Sequence, residues 1–163
     1  MVYLQNYRCY SKCMSSVKEY IVTTPDDFQS IISAVLQPQD EGASVIIALR
    51  GDLGAGKTAF VQQLAKYFGL EENVSSPTFT IMKKYELPHP KFKQLIHIDA
   101  YRIESEHELG PLQFSSVLHE PKSVVCIEWP EKISSAIPQS ANTLELTINK
   151  DESRTARLQT TYE

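Results

Sequence analysis

An α/β fold is what this sequence predicts, and three stretches carry that expectation. The run "SVIIALRG" (44–51) is continuously apolar and ends in glycine. That is the pattern of a strand buried on both faces of a parallel sheet. The segment "KTAFVQQLAKYFG" follows a glycine-rich turn and repeats its apolar residues at helical spacing. The run "SVVCIEW" (123–129) reads as a second buried strand, ending in an acid. At 163 residues the chain suits one domain with a substantial core.

The elements follow in order. Residues 1–17 show no clean periodicity and are expected to form an N-terminal arm, with a single domain over 18–163. Met14, just ahead of the first ordered-looking strand, is a candidate initiator. "EYIVTT" (19–24) reads as a short strand. A helix over 24–37 comes next: Thr24 can cap it, Pro25 fits its first position, and Asp27 completes a capping box. Phe28, Ile31, Ile32 and Val35 form its apolar face. In the helix after the glycine-rich turn, Phe60, Val61, Leu64 and Phe68 share a side, and Gly69 is the stop.

"TFTIMKKYEL" and "KQLIHIDAYRI" read as an antiparallel pair joined by "PHPKF". "ESEHELGPLQFSSVLHE" is expected to be partly helical, interrupted at Gly110–Pro111. "ANTLELTINKDESRTARLQTTY" alternates on both sides of "NKDES", which predicts a C-terminal β-hairpin.

Composition narrows the function. The net charge is −4 and the sequence pI about 5.6. A protein that coats nucleic acid needs a basic excess, so a large RNA footprint is not expected. No apolar run is long enough to span a bilayer. Cys9, Cys13 and Cys126 suggest no disulfide framework, and no His/Cys pair completes a zinc site with Cys9 and Cys13. No apolar leader follows the first basic residues, so a cytoplasmic location is expected.

The chemistry concentrates in "GDLGAGKT" (51–58), which satisfies G-x-x-x-x-G-K-[ST] in full. Glycines let backbone N–H groups turn inward toward a phosphate, and the following helix points its positive end there. Lys57 supplies charge to the β- and γ-phosphates, and the Thr58 hydroxyl is a magnesium ligand. Gly54, Ala55, Gly56, Lys57, Thr58 and Ala59 are therefore the candidate nucleotide-binding residues. The bland alternative is a chance glycine-rich turn; the buried strand before it and the amphipathic helix after it argue otherwise.

A phosphate loop needs acids at the ends of neighbouring buried strands. "VVCIEWPE" offers Glu128 and "LIHIDAYR" offers Asp99. Each alone could be a solvated or capping carboxylate. Together with the loop they are candidates to hold magnesium or to orient water. "VSSPTFT" (74–80) fits a loop that senses the γ-phosphate, or a plain turn at Pro77. Trp129 is core filler or a cover for the site edge. His97 alternates with Asp99 on one strand face and suits a structural hydrogen bond better than a metal. Arg154 and Arg157 read, on sequence alone, as a solvated strand face.

Among phosphate-loop proteins, a GTPase needs N-K-x-D. "NKDE" (149–152) places its Asp one residue early and inside a hairpin turn, which argues against guanine. A small-molecule kinase usually carries an arginine-bearing lid, and only five arginines occur here, none clustered in a long mid-chain loop.

The ordered set "GDLGAGKT", "SPTFT", "HIDAYRI" and "IEWPE" resembles the TsaE (YjeE) family of bacterial ATPases, over roughly residues 19–161. The loop alone is generic; four motifs in this order are specific. The resemblance implies a phosphate-loop NTPase-like three-layer sandwich with a mixed central sheet. It implies slow, magnesium-dependent hydrolysis of ATP. It also implies support for the N6-threonylcarbamoyladenosine modification of tRNA next to the anticodon, at position 37. The family does not transfer the threonylcarbamoyl group; it docks on the TsaB–TsaD pair and its ATPase cycle resets that complex. No membrane role is implied.

Residue by residue, the resemblance implies Lys57, Asp99 and Glu128 as catalytic, and Thr58, Glu128 and Asp99 on the magnesium side. Ser76, Pro77 and Thr78 match the switch-like loop. Arg154 matches a nucleotide-contacting arginine, and Phe28 matches by position only, on the adenine side. The chain departs from the family pattern at "ESEHELGPLQFSSVLHE", where Pro111 follows the glycine, and in its longer N-terminal arm. Two other readings stay open: a small-molecule kinase, and an ATP-binding assembly module that need not hydrolyse.

Overall fold

The computed structural model describes residues 14–37 and 42–162. Its ten principal elements are β1 (Met14–Val22), α1 (Phe28–Val35), β2 (Val45–Arg50), α2 (Lys57–Tyr67), β3 (Met82–Glu86), β4 (Gln94–Asp99), α3 (Phe114–Leu118), β5 (Ser123–Glu128), β6 (Asn142–Ile148) and β7 (Arg154–Tyr162). The strands form a seven-stranded mixed sheet in the order β1-β7-β6-β2-β5-β4-β3. The four central strands β6, β2, β5 and β4 run parallel, and the pairs at both margins are antiparallel.

The apolar runs explain the centre. Every residue of β5 is buried, and all of β2 except Arg50. Successive side chains point to opposite faces, so these strands feed two cores. Val45, Ile47, Leu49, Val124 and Cys126 join Ile31 and Ile32 of α1 and Phe60, Val61 and Leu64 of α2. Ile46, Val125 and Ile127 join Phe114, Val117 and Leu118 of α3 on the other face. Short 3-10 segments at Glu106–Leu109 and Pro130–Ala136 add Leu109 and Ile133 to that second core.

Local signals act where they were expected. The Asp27 carboxylate accepts the backbone N–H groups of Thr23 and Thr24 at 2.8 and 2.7 Å. The three residues Pro25–Asp27 are a 3-10 turn, so the α-helix starts only at Phe28. Gly69, at φ 78°, follows α2 as its stop. The hairpin of β6 and β7 is present, with "NKDES" as its turn.

Two expected boundaries shift. β1 is longer than "EYIVTT": residues 14–17 pair with 159–162 of β7. Of the expected arm, 1–17, the first thirteen residues, with Cys9 and Cys13, lie outside the described residues. β3 begins at Met82, not Thr78, because Ile81 turns to φ 64° and its N–H bonds back to Pro77 O at 2.6 Å. Among the described residues, no helix is long and apolar enough to cross a membrane.

Phe60 is fully buried, edge-on to Phe28 at 5.5 Å between ring centroids. Phe60→Ala is expected to lower unfolding free energy by about 3–5 kcal/mol in chemical denaturation. Ile21→Ala, at a side chain 63% exposed, is expected to stay within about 0.5 kcal/mol of the parent.

Candidate functional site

All four parallel strands end at one edge of the sheet, where ligands of open α/β sheets bind. The glycine-rich loop leaves β2 there and enters α2. Gly51 has φ 135°, and a Cβ on it would meet Leu146 O at 2.4 Å. Only glycine lets the chain pass that close to β6. Gly56, at φ 107°, turns the loop into α2. The first N–H groups of α2, at Lys57, Thr58 and Ala59, have no helical acceptor behind them. With the helix dipole they make an anion-binding end.

Lys57 is 5% exposed. Its ammonium donates to Gly51 O at 2.6 Å and Asp52 O at 2.9 Å, and lies 4.0 Å from the centre of the Trp129 ring. Burial pulls its pKa below the usual lysine range, and the carboxylates of Glu128, Glu131, Asp99 and Asp52 pull it back up.

Strand register sets the acids side by side. Glu128 pairs with Leu49 of β2 on one flank and with Asp99 of β4 on the other. Both carboxylates are buried, at 4% and 3% exposure. Glu128 Oε1 accepts the Thr58 hydroxyl at 2.8 Å and lies 2.8 Å from His97 Nε2. Asp99 Oδ2 accepts Ser76 Oγ at 2.8 Å and Thr78 Oγ1 at 2.7 Å, and its Oδ1 accepts the Tyr101 N–H at 3.0 Å. Two hydroxyls of the 74–80 loop are thus tied to the sheet by one carboxylate, and Lys83 of β3 adds a bond to Ser75 Oγ at 2.8 Å.

A cavity of about 380 Å³ opens above these groups, lined by Gly54, Gly56, Lys57, Thr58, Ala59, Ser76, Thr78, Asp99 and Glu128, with Leu53, Tyr101 and Trp129 at its walls. Beside it, a smaller cavity of about 140 Å³ is lined by Thr23, Thr24, Phe28, Gly56, Ala59 and Arg154. The two share Gly56 and Ala59. Ala55, fully buried, lines neither. A larger cleft of about 520 Å³ lies on the α3 face, but its lining is mainly apolar and hydroxylic. The smaller, charged cavity is the better candidate, because convergent charged groups and not volume mark a reactive site.

The structure therefore brings together Gly54, Gly56, Lys57, Thr58, Ala59, Thr78, Asp99 and Glu128. Arg154 stands at the second cavity, donating to Glu152 O at 2.7 Å. Phe28 reaches that cavity from the core, at 2% exposure. Sequence reading left Trp129 undecided; it stacks over Lys57 and lines the site. It did not single out Tyr101, 53% exposed and tilted against Trp129 at 5.2 Å. Tyr101 follows Asp99 by two residues, just past the end of β4, and that adjacency was the available signal. His97 makes the structural hydrogen bond expected of it, but its partner, Glu128, depended on the register of β4 against β5.

Comparison with known proteins gives a consistent result. The family model for the threonylcarbamoyl adenosine biosynthesis protein TsaE matches residues 22–158. The tRNA threonylcarbamoyladenosine biosynthesis protein TsaE of Rickettsia bellii is 31% identical over 137 residues, 83% of this chain and 88% of that one. The protein of the same name from Haemophilus influenzae is 30% identical over 132 residues, 78% of this chain and 79% of the other. The crystal structure of Bacillus subtilis YdiB shares the fold, with a TM-score of 0.67, 23% identity, and coverage of 90% and 87% of the two chains. The match to the family model over residues 22–158, with relatives 30% identical or more over most of both chains, shows that this chain belongs to the TsaE family of tRNA threonylcarbamoyladenosine biosynthesis proteins.

Proposed function

We propose that the protein is a magnesium-dependent ATPase. In this reading it supports the threonylcarbamoyladenosine modification of tRNA by acting on a TsaB–TsaD-type complex in the cytoplasm. One observation carries the ATPase part: the Thr58 hydroxyl, at the cavity wall, donates a hydrogen bond to Glu128 Oε1. A hydroxyl that donates its hydrogen keeps its lone pairs for a metal ion. Thr58, Glu128 and Asp99 are hard oxygen donors, and magnesium is usually held by one or two carboxylates together with substrate phosphates. Bound there, magnesium would screen phosphate charge. Within a phosphate-loop NTPase-like arrangement of three layers, the glycine-rich loop cradles the phosphates.

The chain's own residues do the rest. Backbone N–H groups at the start of α2 bind phosphate oxygens, and Lys57 neutralises their charge from a fixed position. Asp99 and Glu128 are the acids that can orient an attacking water or accept its proton. Trp129 and Tyr101 cover one wall and restrict solvent. Arg154 and Phe28 border the second cavity, which continues from Gly56 and suits the nucleoside end. The formal charge of −4 favours a role through protein partners over a large tRNA footprint.

ATP hydrolysis without an added acceptor, with γ-phosphate released to water, is the expected result. Transfer of that phosphate to a metabolite would establish a kinase instead. Glu128→Gln and Thr58→Ala are each expected to slow turnover roughly 100-fold or more, in line with loss of a preorganised electrostatic group. TsaB–TsaD is expected to raise the parent rate, and an unchanged rate with demonstrated docking would refute action through that pair. If Glu128→Gln binds ATP, cannot hydrolyse it and still restores the tRNA modification in cells, the protein is an assembly module.

Lys57 also links function to stability. Its folded-state pKa lies below the usual 10.5, so the folded protein binds its proton less tightly than the unfolded chain does. The resulting cost to stability is fully present below the folded pKa and is relieved as pH rises through 10.5. Lys57→Met is therefore expected to abolish turnover yet melt at the same or a higher temperature at pH 7. Its advantage over the parent should shrink in alkaline buffer. A clear drop in melting temperature at neutral pH would contradict this.

A further inference from the structure

We infer that His97 is a positioning residue: it fixes the Glu128 carboxylate in the orientation that the hydrolytic site uses. The kinetic part of this inference rests on the ATPase reading; the structural part does not. His97 has no exposed surface, so it touches no ligand. Its Nε2 lies 2.8 Å from Glu128 Oε1, the same oxygen that accepts the Thr58 hydroxyl. Two donors converge on Oε1 from different elements, β4 and α2. Among the described residues, Oε2 accepts no hydrogen bond. Two donors on one oxygen fix both the position and the rotation of the carboxylate, and leave Oε2 as the oxygen free for ligand or water.

The other ring nitrogen sharpens the point. Nδ1 of His97 is buried and has no hydrogen-bond partner among the described residues. A buried polar atom left unpaired costs stability. A leucine would fill the space without that cost, so packing alone does not account for an imidazole here. The function lies on the Nε2 side. The contact with the Glu128 carboxylate, an acceptor, assigns the Nε2 position to a proton that donates to Oε1. Carboxylates that act in catalysis commonly depend on such supporting donors, whose loss costs roughly 10–100-fold in activity or metal affinity.

The test compares His97→Leu, which keeps volume and loses the donor, with His97→Gln, whose side-chain amide can donate from a similar reach. ATP turnover is measured with nucleotide affinity in the absence of magnesium and with thermal melting. Nitrogen NMR of the nucleotide-free parent reads the His97 tautomer. The expected result is a kcat for His97→Leu lower by roughly 10–100-fold, with KM and magnesium-free affinity nearly unchanged. His97→Gln should recover most of that loss. The spectrum should show the proton on Nε2, and the signal should shift in Glu128→Gln. Parent-like turnover in a folded His97→Leu overturns the inference. So does a Gln variant as slow as the Leu variant at parent-like melting temperature, or a proton found on Nδ1 alone. If the Leu variant does not fold, the Gln variant and the spectrum decide. Unchanged turnover in Glu128→Gln and Lys57→Ala would defeat the assignment of hydrolysis to these residues, while the spectrum would still decide whether His97 holds Glu128.

Discussion

The register of β5 between β2 and β4 is the constraint on which the site depends. It sets Glu128 opposite Leu49 and Asp99 at the same level of the sheet. A slip of one residue would turn Glu128 to the α3 face, away from Thr58, and bring Ile127 into its place. Two cores oppose that slip. Val124 and Cys126 belong to one, and Val125 and Ile127 to the other, so any shift would exchange their environments. The apolar alternation that builds the sheet is therefore also what aims the carboxylates.

Around that register the protein buries a cluster of polar and ionisable side chains. Lys57, His97, Asp99 and Glu128 are all 5% exposed or less. Isolated buried charges are costly, and they persist when paired and hydrogen-bonded. Here the compensation is shared: Lys57 takes two loop carbonyls and an indole face, Glu128 takes a hydroxyl and an imidazole, and Asp99 takes two hydroxyls and an amide. The apolar mass of β2, β5 and α2 carries the fold, and the polar edge of the sheet is kept in place by it. A site of this kind is assembled before its ligands arrive, which is how electrostatic preorganisation works.

Much of the architecture was legible in the chain because each signal was local. The continuous apolar runs identified β2 and β5, "TPDD" marked the capped turn that leads into the first helix, and "NKDES" identified the turn of the hairpin. The glycine-rich loop was legible because its spacing serves one chemistry, and the family followed from the order of four motifs. What could not be read were relations across strands. That His97 meets Glu128, or that Trp129 covers Lys57, depends on which strands are neighbours and in what register. The late start of β3 was missed because Ile81, a β-branched residue, adopts the left-handed conformation it usually avoids.

Gly51 stands against the carbonyl of Leu146, with no room for even one carbon between them. Leu146 belongs to β6, whose partner β7 begins with Arg154. The root of the glycine-rich turn and the turn end of the C-terminal hairpin therefore abut directly. Displacement of either is transmitted to the other as direct steric contact, with no intervening side chain to absorb it. The 74–80 segment is anchored at Val74 in the core, and beyond it is held to the sheet by side-chain hydrogen bonds to Asp99 and from Lys83. Compliance in this molecule is thus unequally divided: one wall of the site is a rigid abutment, and the opposite wall hangs from a few exchangeable bonds.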